Sequence, residues 1–284
     1  MLAALASRFA GLLPASWLRR IGAWQWTGAL QRRFVQGASR WLRESDVTIR
    51  HGAAAGLRFN AGGANPGYAL GTTEPAVQDA LEGLLHAGDI FYDIGANVGF
   101  FTVLAARLVG PGGRVVAFEP LPANVAALRR NLALNGFANA VVVEAAAGVA
   151  GGTADLVPQE EPTWARLAAM ERGSDAPPDP SAGAVRVRVV SVDETVEAGA
   201  APPPTLVKID VEGAELDVVS GMARTLRTHR PTLLVEMHGK NREFAALLAR
   251  HGYAGRCIEC TDPVEIARWD VHVIATPPGA AATS

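Results

Sequence analysis

The residues with the clearest chemical capability in this 284-residue chain lie where short apolar runs end. In Phe91–Phe100, FYDIGANVGF, an apolar run is followed by Asp93, Gly95, Asn97 and Gly99. The glycines permit a tight turn and let the backbone approach a ligand closely, while the carboxylate sets the sign of charge that the ligand can carry. A second acid, Glu119, ends the next apolar run 24 residues after Gly95. An acid in that place can accept hydrogen bonds from both hydroxyls of a ribose.

Further along, LVKIDVEGAE carries Lys208, Asp210, Glu212 and Glu215, and TLLVEMH carries Glu236 and His238. A neutral hydroxyl that attacks an electrophile must lose its proton, which requires a base within hydrogen-bond reach. Asp210 and His238 are the candidate bases. Lys208 lies two residues before Asp210 and so on the same side of its strand, as a third catalytic candidate or as a salt-bridge partner. Glu212 and Glu215 can equally stabilise a helix N-terminus. Asp210, Glu236 and His238 together have the donor types to hold a divalent metal that lowers the pKa of a hydroxyl. Strand-end acids are common in α/β folds, so the metal is the less favoured alternative and no metal ligand is assigned.

A dinucleotide loop has G-x-G-x-x-G, whose glycines and helix N-terminus receive a pyrophosphate. Here Ala96 and Asn97 follow Gly95, so the middle glycine is missing, and Asp93 puts negative charge where phosphates would lie. A cationic cofactor without phosphate suits the loop better, and S-adenosyl-L-methionine is such a molecule. Two other readings are weighed: a nicotinamide-dependent oxidoreductase on a similar sheet, and a binding module that keeps the fold without turnover.

The elements that must position these residues alternate from Gly71 onward. Thr73–Ala87 reads as a helix capped by Thr73, with Pro75 in its first turn. IFYDI, RVVAFE, AVVVEA, TLVKID and TLLVEM read as strands; Phe100–Val109, Pro122–Asn135, about 213–227 and about 241–250 read as helices. The final GYAGRCIEC and DVHVIATPP suggest two antiparallel strands. Strands joined by helices predict an α/β fold with a parallel sheet covered on both faces. Residues 158–184, rich in Pro, Glu, Asp and Ala, read as a surface insertion without strand pattern or as a lid over the substrate side. VRVRVV then resumes as an edge strand. Residues 1–70 form a separate unit, an Arg- and Trp-rich helical segment followed by a small hairpin cover, and residues 71–284 the catalytic domain.

The net charge of −2 gives no pull toward nucleic acid, but it hides an asymmetry: seven arginines and no acid precede Glu44. Trp17, Trp24, Trp26 and Trp41 are interleaved with those arginines. Such a segment suits either peripheral contact with an anionic membrane through residues 1–46 or a helical cap packed on the domain. No apolar run is long enough to span a bilayer, and the start lacks a secretory pattern. With only Cys257 and Cys260 and no disulfide framework, a reducing cytoplasm is the expected location, with peripheral membrane contact as a variant of it. The cysteines read as ordinary hairpin residues.

FYDIGANVGFFTVLAARLV, VVAFEPLPANVAALRRNLALNG and LVKIDVEGAELDVVSGM together resemble the FkbM-type family of S-adenosylmethionine-dependent methyltransferases, from about Tyr68 to Thr276. The resemblance implies a class I methyltransferase, a Rossmann-like, mostly parallel seven-stranded sheet with its last strand antiparallel. It also implies methyl transfer to a hydroxyl of a sugar, glycolipid or natural-product acceptor. By the same match Asp93, Gly95, Asn97, Gly99 and Glu119 are cofactor-binding positions.

Overall fold

A computed structural model of the chain describes residues 45–62, 64–158, 165–167, 184–277 and 279. Residues 1–44, with their Arg and Trp cluster, and most of the 158–184 insertion lie outside the described residues.

Two short strands open the described chain, β1 (Val47–Thr48) and β2 (Arg58–Phe59), paired antiparallel. They are followed by α1 (Pro66–Leu70) and α2 (Pro75–Leu84). The alternating region continues as β3 (Ile90–Ile94), α3 (Phe100–Val109), β4 (Arg114–Phe118), α4 (Pro122–Leu134) and β5 (Ala140–Val143). After β6 (Ala146–Ala147), β7 (Gly152–Pro158), β8 (Ala165–Leu167) and β9 (Val185–Val190) come α5 (Val192–Glu197) and β10 (Leu206–Ile209). The chain then runs through α6 (Glu215–Ser220), α7 (Ala223–Thr228), β11 (Thr232–Glu236), α8 (Asn241–Arg250), β12 (Ala254–Cys257) and β13 (His272–Thr276).

Seven strands form the main sheet in the order β12-β13-β11-β10-β3-β4-β5. Pairing is parallel from β11 to β5, whereas β13 runs antiparallel to both β11 and β12. This is the class I methyltransferase sheet that the sequence leads one to expect. Successive residues of a strand face opposite sides, and here both sides are core. Phe91, Val115, Ala117, Leu206 and Leu234 pack under α2, α3 and the β1–β2 hairpin. Tyr92, Ile94, Val116, Phe118, Val207, Ile209 and Val235 pack against α6, α7 and α8. The hairpin joins the main core through Ile49, Leu57 and Phe59, and the Phe59 and Phe100 rings meet edge to face at 5.7 Å. Among the described residues no helix is long and apolar enough to cross a membrane.

Four local expectations need correction. VRVRVV is not an edge strand of the main sheet: β9 lies inside a separate four-stranded sheet, order β6-β9-β7-β8, antiparallel to β7 and parallel to β6. The insertion is not free of strand, since β8 pairs with β7. The helix over 213–227 is broken into α6 and α7 at Gly221, where a side-chain carbon would meet the Gly148 carbonyl oxygen at 1.9 Å. The backbones pass too closely there for any other residue. Finally, α2 starts at Pro75 and not at Thr73. Glu74 takes the N-cap place with left-handed backbone (φ 44°), and the Thr73 carbonyl instead accepts a bond from the Gln78 side chain.

Candidate active site

The carboxyl ends of β3, β4, β10 and β11 open into one cleft of about 390 Å³. Its floor is the turn after β3. There the Gly95 and Ala96 N–H groups both donate to the Phe118 carbonyl, and Asp210 N–H donates to the Ile94 carbonyl. Gly95 sits at φ 82°, and a side-chain carbon on it would lie 1.8 Å from the Asp210 carbonyl oxygen. Only glycine lets these two strand ends approach so closely. Asn97 is left-handed too, at φ 52°, a conformation that Asn tolerates.

Glu119 ties the turn to the end of β4. One carboxylate oxygen accepts from Asn97 N–H and the other from Leu121 N–H, both at 2.8 Å. Burial pushes its carboxyl up to about 7 even though those bonds pull the other way. The Asn124 side chain is a third donor to this carboxylate, which has acceptor capacity for about four.

Of the residues singled out from the sequence, Gly95, Asn97, Glu119, Asp210, Glu212, Glu236 and His238 line the cleft. Asp93, Lys208 and Gly99 stand behind it. Asp93 is 1% exposed, accepts from the Thr102 hydroxyl at 2.6 Å, and is held above the usual carboxylate range by burial, against the pull of Lys208. Gly99 is the left-handed N-cap of α3. Lys208 is the register partner of Asp93 across β10 and β3. Its ammonium lies 2.9 Å from Asp210 Oδ2 and 4.8 Å from the centre of the Phe101 ring. Burial alone would lower the Lys208 pKa, but Asp210 and Asp93 outweigh it and hold the amine above its ordinary range. Burial pushes the Asp210 carboxyl up, Lys208 opposes, and the balance stays upward. Asp210 is thus a carboxylate of enhanced basicity at the cleft wall.

His238 is held by Glu215, which is 1% exposed and lies 2.8 Å from Nδ1; Nε2 lies 3.4 Å from Glu212 and 3.8 Å from Glu236. Burial would lower this imidazole, but the Glu215 bond and the Glu212 and Glu236 carboxylates hold it up at about 9. At neutral pH it carries its proton, which suits it to donate and not to accept.

Several cleft residues carry no pattern that singles them out in the sequence. Tyr68 and Glu74 come from α1 and the start of α2, and Trp269 and Asp270 from the loop before β13. The only signal for Glu74 is an acid directly before a helix-starting proline. His272, behind the cleft, is the direct partner of Glu236 across the antiparallel β11–β13 pair.

The charge of the lining tests which cofactor fits. Glu74, Glu119, Asp210, Glu212, Glu236 and Asp270 line the cleft, and among the described residues no lysine or arginine does. A pyrophosphate would face six acidic side chains against the single imidazolium of His238, whereas a sulfonium and an α-amino group find complementary charge. Phe118, Leu121, Ala146, Ala147 and Leu156 supply an apolar side beside Glu119, suited to a nucleobase. These residues fit S-adenosylmethionine.

The profile of the methyltransferase FkbM domain matches residues 93–261. The hexuronic acid methyltransferase AglP of Haloferax volcanii is 29% identical over 164 residues, covering 57% of this chain and 62% of that protein. The 31-O-demethyl-FK506 methyltransferase FkbM of Streptomyces tacrolimicus is 31% identical over 216 residues, covering 67% of this chain and 81% of that protein. Among solved structures, methyltransferase FkbM from Methylobacillus flagellatus superposes with a TM-score of 0.46 at 18% identity, covering 74% of this chain and 52% of that one. With the family profile matching more than half of its length, the chain belongs to the FkbM family of methyltransferases.

Proposed function

We propose that this protein is an S-adenosylmethionine-dependent O-methyltransferase whose acceptor is a hydroxyl on a small carbohydrate-containing or natural-product molecule. The observation that carries the reading is the opening of Asp210 and Glu119 into one acid-lined cleft. When bound, S-adenosylmethionine supplies an electrophilic methyl group. Glu119 would hold it by accepting from the ribose hydroxyls, the Gly95–Gly99 turn would receive its amino-acid end, and the cleft carboxylates would complement its positive charge.

Asp210 takes the proton of the acceptor hydroxyl as the oxygen attacks. Lys208 steers the Asp210 carboxylate through the 2.9 Å bond and keeps a cation behind it. His238, protonated at neutral pH, donates to an acceptor oxygen and so orients it. Much of the acceleration then comes from alignment, which can supply roughly 7–11 kcal/mol.

Two observations support a carbohydrate-containing acceptor. Trp269 stands 64% exposed at the cleft rim, a flat apolar face of the kind that covers a sugar ring. Its loop is anchored, since Gly239 N–H donates to the Trp269 carbonyl and the Asn241 side chain donates to the carbonyls of Ala267 and Arg268. The second is the relative named for a hexuronic acid.

Asp210→Asn tests the reading with radiolabelled methyl donor and a panel of sugars, uronic acids and macrolide alcohols. The variant should bind the donor as wild type does and lose turnover by about 100-fold or more. Full turnover in Asp210→Asn, with loss in His238→Ala, would move the base to His238.

A further inference from the structure

We propose that Glu74, Glu236 and His272 form a binding site for a divalent cation of the Mn²⁺ or Zn²⁺ kind in the wall of the cleft, with Glu259 fixing the imidazole. Three separate elements bring these groups together. Glu74 caps α2 with left-handed backbone, Glu236 ends β11, and His272 opens β13 as its direct register partner.

Glu259 accepts from His272 N–H at 3.0 Å and lies 2.5 Å from His272 Nδ1. An ionised carboxylate can only accept, so Nδ1 carries the hydrogen and Nε2 is the atom turned toward the other two acids. This carboxylate–imidazole arrangement is the usual support of a metal-binding histidine. His272 Nε2 lies 3.5 Å from Glu74 Oε2 and 3.7 Å from Glu236 Oε2.

Those separations are too long for good hydrogen bonds. Two ligand atoms each about 2.1 Å from one ion, at angles of about 90–120°, lie about 3.0–3.6 Å apart, a range that holds the 3.5 Å separation and falls just short of the 3.7 Å one. His272 is 8% exposed, and its Nε2 and Glu74 Oε2 are both buried atoms without a hydrogen-bond partner. Buried polar atoms are rarely left so, and a shared cation satisfies both at once. Two carboxylates and one imidazole, neutral once an ion takes the place of its Nε2 proton, also match a divalent charge and the donor preference of such ions.

The neighbouring trio Asp210, Glu236 and His238 also lies within coordination distance. There, however, Asp210 is already bonded to the Lys208 ammonium at 2.9 Å. Among the described residues, Glu74 makes its ion-pair contact with His272 alone. Glu236 stands between the two imidazoles, so an ion on its His272 side borders the cleft. What it supplies is Lewis acidity toward an acceptor oxygen. That use rests on the methyl-transfer reading; the binding itself does not.

The test is an electron paramagnetic resonance titration of EDTA-dialysed protein with Mn²⁺. One tightly held ion per chain is expected, lost in Glu74→Gln and in His272→Ala and retained in His238→Ala. Glu259→Gln should weaken it about 10–100-fold. Thermal unfolding checks that Glu74→Gln, at a partly exposed position, remains folded. Binding no tighter than about 1 mM in the wild type, binding that survives both Glu74→Gln and His272→Ala, or binding lost in His238→Ala would overturn the site. Failure of methyl transfer alone would leave this titration unchanged.

Discussion

Removing the Glu119 carboxylate tests how the cleft holds its cofactor. The side chain is 4% exposed, both oxygens accept from peptide N–H groups, and burial holds the carboxyl up at about 7. Hydrogen bonds to a charged acceptor contribute about 1.5–3 kcal/mol. Glu119→Ala should therefore weaken S-adenosylmethionine about 10–150-fold, at 1.4 kcal/mol per tenfold. Burial favours the protonated carboxyl in the free protein, whereas ribose hydroxyls favour the anion. The ligand must then displace a proton below the raised value, and affinity falls as pH falls through 7. Wild-type affinity should drop about tenfold from about pH 8 to about pH 6, and Glu119→Ala should flatten that dependence. Calorimetric titration with S-adenosylmethionine and S-adenosylhomocysteine reads both effects. Unchanged affinity in a folded Glu119→Ala protein, or a wild-type affinity level across that pH range, refutes the assignment.

Lys208→Met should destabilise the protein by about 3–5 kcal/mol in urea unfolding, because Asp93 and Asp210 would lose the buried cation that compensates them. Stability within 1 kcal/mol of wild type, on the order of an ordinary surface change, would show that the pair is not the support of the cleft. Trp269→Ala should raise KM for carbohydrate acceptors about 5–30-fold with little change in kcat, from roughly 60 Å² of ring face left uncovered at about 25 cal/mol per Å². An unchanged KM removes the ring from the acceptor site. If residues 1–46 contact an anionic membrane, the full chain should co-sediment with anionic vesicles at low salt and be released by added salt. A chain that ignores such vesicles ends that reading.

Much of the fold was legible because its strands are buried on both faces and its helices are bounded by glycine or proline. Phe100–Val109 is the clearest case, closed at both ends by glycine. Part of the cleft lining was legible for the same reason: Gly95, Asn97 and Glu119 follow directly from recognisable strands. What stayed hidden depends on contacts distant in sequence. The pairing of β6, β7 and β9 spans the insertion, so VRVRVV alone could not reveal its sheet. The break at Gly221 is set by the Gly148 backbone, 73 residues away. Glu74, His272 and Trp269 reach the cleft or its wall through a strained cap, a cross-strand register and a loop anchored on α8, none of which leaves a spacing pattern.

The most direct measurement is a crystal structure of the complex with S-adenosylhomocysteine. The ribose hydroxyls are expected within hydrogen-bond distance of the Glu119 carboxylate, the amino-acid end on the Gly95–Gly99 turn, and the sulfur directed toward the Asp210 side of the cleft. A nucleoside bound elsewhere, or seated in the cleft with Glu119 turned away from the ribose, would contradict this placement.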